Sequence, residues 1–366
     1  MRYYALDDLV DPIHRRTLTV VQDTRVDRPG PVVERCRAWC GYLGMDPSGA
    51  RAEDCAACGQ LSVVSGWLSA GDRRYPIRDG IPRLRPEDGS DEDAIGEDDR
   101  AVREGFGFEW QRFADELPEY EAESRKYFHL VPPERFVGAT VLDAGCGMGR
   151  WARYAARRSV RRLYALDYSS SIDQAQRYLD PEEVVQCVQA DIRFLPIRDS
   201  AVHLAYSLGV LHHMPNPDDG MMSLLRVLKP QGGLLVYLYY SLENRPAHYR
   251  AILSLINAVR RTTSRLPKRV MYWLAWSIAL GVYWPLARLS LVFDVLGRRN
   301  VVGWIPLHDY RRRSIRLMAL DAFDRFATPL ERRYSRSEVR SWLERHGLQP
   351  RFSESSPFWV AYAEKP

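Results

Sequence analysis

Between residues 140 and 158, an apolar run ending in an acid, Val141-Leu142-Asp143, passes through three alternate glycines, Gly145, Gly147 and Gly149, into a helical stretch. A glycine turn between strand and helix lets a ligand approach the backbone closely at the helix N-terminus. It commits this part of the chain to α/β layering. The following sequence keeps that rhythm. Strand-like runs stand at 162–167, 184–191, 202–207 and 234–240, with helical runs at 149–158, 170–179 and 218–228. This alternation predicts βαβ units and a mostly parallel sheet. Ser335-x-x-Glu338 signals a capped helix running to His346, and two short strands are expected near 349–353 and 358–363.

The glycine spacing is Gly-x-Gly-x-Gly, shorter than the Gly-x-Gly-x-x-Gly that seats a pyrophosphate. It suits a cofactor without one. Asp143 ends the first strand beside the loop, where a carboxylate repels phosphate and suits a cationic amino-acid group. Asp167 ends the second strand, where an acid can accept both hydroxyls of a ribose. Asp191 ends the third, followed by apolar Ile192, a pair suited to an adenine amine and ring face.

These residues resemble the class I S-adenosylmethionine-dependent methyltransferases. The likeness runs continuously over 140–240 and resumes at the C-terminal helix and strands. It includes Gln189-Ala190-Asp191-Ile192, then Leu208-Gly209-Val210-Leu211-His212-His213. It also includes Leu228-Lys229-Pro230-Gln231-Gly232-Gly233, with Gln231 where the family usually has glycine. The resemblance implies a Rossmann-like sheet with its last strand antiparallel, and S-adenosylmethionine as cofactor. It implies that Gly145, Gly147 and Gly149 cradle the methionine part, Asp167 holds the ribose, and Asp191 and Ile192 hold the adenine. Ser207, Leu208 and Gly209 would line the cavity near the methyl group. Asp143, Cys146 and Tyr168 belong to the same expected cofactor set. The sulfonium is already activated, so rate comes from holding an attacker in line in a water-poor pocket. A base is needed only if the nucleophile must lose a proton, and His212 and His213 are the nearest candidates.

Cys36-x3-Cys40 and Cys55-x2-Cys58 precede an acidic run at 87–99 that reads as a linker. Four thiolates in two close pairs suit tetrahedral zinc. The second pair, with Pro76-Ile77-Arg78-Asp79-Gly80-Ile81-Pro82, resembles the Trm112-like zinc-ribbon module of some bacterial methyltransferases, although the first pair has three intervening residues rather than two. The expected organisation is a zinc-ribbon-like unit at 1–86, the linker at 87–99, a methyltransferase domain at 100–240 and 334–366, and a helical lid insertion at 241–333.

The insertion contains eighteen residues without a charge, 270–287. That barely reaches a membrane span, and Gly281 and Pro285 interrupt it. It reads as a buried lid, with contact to a membrane surface as the alternative. Trp273, Trp276, Tyr283 and Trp284 are candidates to line an apolar substrate pocket. The cluster from His308 to Arg313 reads as a solvated helix face.

Charge is uneven. Residues 1–139 carry 19 Lys+Arg against 27 Asp+Glu, whereas residues 241–350 carry 20 against 8. With 46% apolar and 27% charged residues, the 366-residue chain excludes collagen-like, coiled-coil and disordered classes. Six sparse cysteines and no leader-like opening predict a reducing cytoplasmic compartment. The expected function is methyl transfer to a small-molecule acceptor: a natural product, a glycan or a lipid-linked compound. The rivals are an RNA methyltransferase, which the basic stretch suits, and a non-catalytic scaffold that only binds the cofactor. Nucleic acid is not the favoured partner.

Overall fold

A computed structural model describes residues 1–27, 35–86, 97–243, 245–355 and 359–366. Eleven strands form one sheet: β1 Thr19–Asp27, β2 Leu61–Ala70, β3 Arg73–Arg78, β4 Ile81–Leu84, β5 Thr140–Ala144, β6 Arg162–Asp167, β7 Val185–Ala190, β8 Val202–Leu208, β9 Leu228–Tyr237, β10 Arg351–Phe352 and β11 Val360–Glu364. Their spatial order is β1-β2-β3-β4-β7-β6-β5-β8-β9-β11-β10.

The parallel part is β4-β7-β6-β5-β8-β9. β5 is buried along its whole length, as a strand covered on both faces must be. β1–β4 pair antiparallel at one edge, and β10 and β11 antiparallel at the other. The sheet is therefore mixed rather than mostly parallel. The last strand is antiparallel as expected, but the N-terminal strands also joined the sheet.

That joining is the largest departure from the expected organisation. Arg83 and Leu84 of β4 register with Gln189 and Ala190 of β7, so residues 1–86 extend the sheet that carries the glycine loop. Arg162 of β6 places Nη1 3.0 Å from both Asp7 and Asp8, and Tyr164 donates to Asp8 at 2.7 Å. All four side chains are buried. Tyr3, Leu6, Val63 and Leu68 share one core with Leu142, Tyr164 and Val188. A linker between the halves does not uncouple them. Of that acidic stretch, residues 87–96 lie outside the described residues, and 97–99 already open the helix Glu97–Arg112.

Local signals in the C-terminal half act as read. Ser335 and Glu338 form the capping box of the helix Arg336–Arg345. Gln231 has φ of 60°, the left-handed conformation for which glycine is the default residue. Its strain is held by two bonds: its N–H donates to Lys365 O at 2.9 Å, and its carbonyl accepts from Arg135 at 2.9 Å.

The insertion leaves and rejoins the sheet at one place. Ser241 N–H donates to Tyr334 O at 2.8 Å, and Tyr334 N–H donates to Tyr239 O at 2.8 Å. Between them run the helices Ala247–Thr263, Lys268–Val295 and Ile315–Ala327. Gly281 and Pro285 do not break the second. A single π turn, Ala279–Tyr283, takes up the hydrogen bond that proline cannot make. This helix is long and apolar enough to cross a membrane by length and composition alone, and most of it is exposed. The buried lid expected here is thus only partly buried. Met271, Ala275, Ala279, Tyr283 and Ala287 turn inward, four residues apart, towards the helix Ile315–Ala327.

Candidate active site

Strand order reverses at β5. The chain proceeds from β5 to β6 and β7 on one side, and through β8 and β9 on the other. The crevice beyond the C-terminal strand ends at such a switch point is where open α/β sheets bind ligands. Here it is a cavity of about 830 Å³, floored by the strand ends and roofed by the insertion.

Gly145, Gly147 and Gly149 have φ of 89°, 55° and 90°, so the loop requires glycine for its path. Gly145 and Cys146 donate N–H bonds to Leu166 O at 2.8 and 2.9 Å, which tie the loop to β6. Asp167 accepts from Gly147 N–H at 2.9 Å through one oxygen, and from Ser169 N–H at 2.8 Å through the other. Burial pushes its carboxyl up, and these donors oppose the shift. Asp191 caps the turn Ile192–Phe194, accepts from Arg193 N–H at 2.8 Å, and is gripped by the Arg193 guanidinium.

Gly145, Cys146, Gly147, Asp167, Tyr168, Asp191, Ile192, Leu208 and Gly209 all line the cavity, so the structure brings together nine of the twelve expected cofactor residues. A Cβ on Gly209 would project into empty space. Asp143, Gly149 and Ser207 stand behind this wall. Asp143 is fully buried with no hydrogen-bond partner for either oxygen among the described residues. Burial pushes its carboxyl well up. Ser207 donates instead to Ala144 O at 3.0 Å and braces β8 against β5. The open glycine path and the two acids at neighbouring strand ends fit S-adenosylmethionine.

The two histidines part company. His212 is completely buried, neither ring nitrogen has a partner among the described residues, and it does not line the cavity. Burial, then the neighbouring His213 and Arg333, holds its pKa well down, so it stays neutral. His213 does line the cavity. Its Nδ1 is 2.7 Å from Leu330 O, a bond in which only the ring N–H can donate. That leaves Nε2 as the atom with a free lone pair.

Sequence reasoning missed the opposite wall. Glu109, Asp321 and Asp324 line the cavity with Tyr239, Tyr283 and Tyr310. Tyr239 donates to Asp324 at 2.5 Å. Burial, and then Asp324, pushes the Glu109 carboxyl well up. Asp321-x-x-Asp324 was visible as a pair on one helix face, but its inward aim depends on how the insertion folds back. His308, Asp309, Tyr310 and Arg313 also line the cavity rather than forming a solvated face. Of the four aromatic candidates in the uncharged run, only Tyr283 lines it, while Trp273 and Trp284 face outward.

A zinc site at the four N-terminal cysteines is not supported. Cys36, Cys40, Cys55 and Cys58 are free thiols, buried or half-buried. Burial first, and then mutual proximity, raises Cys58 to about 12. Yet among the described residues no three His, Cys, Asp or Glu groups are arranged to hold a metal. The Cys36–Cys40 loop is ordered differently. Asp7 accepts N–H bonds from Arg37 and Ala38, both at 2.7 Å, while its other oxygen meets Arg162. A zinc-ribbon module is not supported.

Residues 142–236 match the methyltransferase domain family. The chain is 28% identical over 160 residues to a sterol 24-C-methyltransferase of Aspergillus fumigatus, covering 41% of this chain and 42% of that protein. It is 30% identical over 141 residues to a malonyl-[acyl-carrier protein] O-methyltransferase of Pectobacterium atrosepticum, covering 38% and 52%. A solved phosphoethanolamine N-methyltransferase of Haemonchus contortus, in complex with phosphoethanolamine and S-adenosylhomocysteine, is 18% identical over 40% of this chain and 33% of that one, with a TM-score of 0.32, an overlap too small to bear on function. The fold and the match define the class of the segment that carries the site: it is a class I S-adenosylmethionine-dependent methyltransferase domain. The chain spans 42% and 52% of the lengths of the two curated relatives named.

Proposed function

We infer that the whole chain transfers a methyl group from S-adenosylmethionine to a small acceptor with a large apolar part. One observation carries this reading. A single cavity of about 830 Å³ runs from the glycine loop to the insertion, towards the upper end of the ~300–1,000 Å³ typical of ligand sites. It suits a cofactor and an acceptor together. The sterol and malonyl-[acyl-carrier protein] acceptors named for two relatives agree with an apolar or carrier-borne substrate.

Bound S-adenosylmethionine supplies an activated methyl group. Gly145, Gly147 and Gly209 allow close approach of the backbone, Asp167 accepts from ribose hydroxyls, and Asp191 with Ile192 receives the adenine. The roof formed by Ile256, Ile278 and Leu286 excludes water, which strengthens every polar contact below it. Where the acceptor must lose a proton, His213 Nε2 takes it, held in that tautomer by Leu330 O. The acceptor then lies between His213 and the Glu109–Asp324 wall, all of which line the cavity.

Incubation with methyl-labelled cofactor and two acceptor pools tests this. Label should pass into organic-extractable apolar acceptors and not into RNA. Transfer to RNA, with steep salt dependence, would support the nucleic-acid rival; failure to bind cofactor at all would overturn the reading.

A further inference from the structure

The outer surface of the insertion is built the wrong way round for water. On the helix Lys268–Val295, the inward stripe is small: Ala275, Ala279 and Ala287 are fully buried. The large apolar side chains point out. Trp273 is 69% exposed, Leu280 59%, Val292 54% and Val295 74%. The neighbouring helix Ala247–Thr263 adds Leu255 at 66%. Monomers in water rarely leave so many large apolar groups together on one side.

Two further facts say what covers this surface. First, it continues into the cavity. Ile252, Leu255 and Val259 on one helix, and Val282 on the other, are exposed and also line the cavity, so the gap between the two helices is an apolar mouth. Second, cations border it. Arg261, Arg265 and Arg269, at the turn joining the two helices, and Arg298, beyond the far end, are exposed and have no ion-pair partner among the described residues. Across residues 241–333 there are 17 Lys+Arg against 6 Asp+Glu. An apolar face edged by cations fits the boundary between acyl chains and anionic headgroups.

We propose that this face of the insertion docks on an anionic lipid bilayer, with the cavity mouth opening into it, so that a lipid-tailed acceptor enters from the membrane without crossing water. The docking is peripheral. Both ends of the insertion meet at the Ser241–Tyr334 bond just beyond the end of β9, so the long helix lies along the surface with its small stripe still packed on the protein. The acceptor's entry rests on the methyltransferase reading, whereas the docking does not.

Co-sedimentation of the full-length protein with vesicles tests the docking, using phosphatidylcholine alone and phosphatidylcholine mixed with phosphatidylglycerol. The protein should pellet with the mixed vesicles, at least about tenfold more strongly than with phosphatidylcholine alone, and release as salt rises. The combined Trp273→Ser, Leu280→Ser, Val292→Ser variant should lose vesicle binding while keeping cofactor affinity by calorimetry, because none of the three lines the cavity. Arg261→Glu with Arg265→Glu should abolish the preference for anionic lipid. No binding to either vesicle at low salt overturns the proposal. So does a wild-type dimer in sedimentation velocity that the triple-serine variant turns into monomer, since a second copy would then cover the face. Loss of cofactor binding in the wild type would instead strike the methyltransferase reading and leave the docking intact.

Discussion

His213 donates from Nδ1 to the carbonyl of Leu330 at 2.7 Å, which ties the histidine after β8 to the chain returning from the insertion. The bond joins two segments 117 residues apart and sets the protonation pattern of the ring at the cavity wall. The same backbone also reaches the neighbouring histidine, since Arg332 N–H donates to His212 O at 3.1 Å. The insertion therefore positions the His213 ring as well as covering the cavity.

His213→Ala should lower turnover by roughly 10²–10⁴ and flatten the acid limb of the pH–rate profile. Cofactor affinity should hardly change. His212→Leu should leave the profile's shape alone, because His212 does not line the cavity. A matched, pH-independent loss in both variants would show that neither is a base.

Asp167→Ala should weaken cofactor binding more than the loss of one ribose contact suggests. Its carboxylate also holds Gly147 N–H and Ser169 N–H, so the loop relaxes with it. Charge-assisted bonds are worth about 1.5–3 kcal/mol each, or about 10- to 150-fold in affinity. Calorimetry showing unchanged affinity for S-adenosylmethionine would remove Asp167 from the site.

Arg162→Met should destabilise the whole protein by about 3–5 kcal/mol, because it strands two buried carboxylates, Asp7 and Asp8. Denaturant unfolding should show one transition lost to lower midpoint, with the N-terminal strands and the methyltransferase sheet going together. Two separate transitions would mean that residues 1–86 fold independently after all.

Stability should fall on the acid side. Burial holds His212 well below its usual pKa, and burial with Lys229 beside it pushes His203 down to about 4. A histidine with a depressed folded pKa binds its proton more readily when unfolded. Its contribution is complete above the ordinary value near 6.5 and is lost as pH falls from there towards the folded pKa. Thermal midpoints measured from pH 7 to pH 4.5 should drop, and His212→Leu should drop less. A flat profile would contradict the buried neutral state of His212.

The βαβ core could be read from the sequence because its causes are local. Continuous apolar runs, a left-handed glycine turn, acids at strand ends and the Ser335–Glu338 box each act within a few residues, and strand order then brings nine of the expected cofactor residues to one cavity. The cysteine spacing was equally visible, but spacing does not guarantee the geometry that ligation needs, and no metal-holding group is found among the described residues. That burial would push the Asp143 carboxyl up behind the loop depended on what packs around β5. That β4 would join β7 depended on a pairing across more than a hundred residues, locked by Arg162 with Asp7 and Asp8. The Glu109–Asp321–Asp324 wall and the outward apolar face arise where the insertion folds back over the strand ends. Sequence alone determined which segments of the central βαβ core become strands and helices and where the glycine loop stands among them. Tertiary structure decided which histidine reaches the cavity and which side of the long helix meets solvent, because burial and charge pairing are set by neighbours distant in the chain.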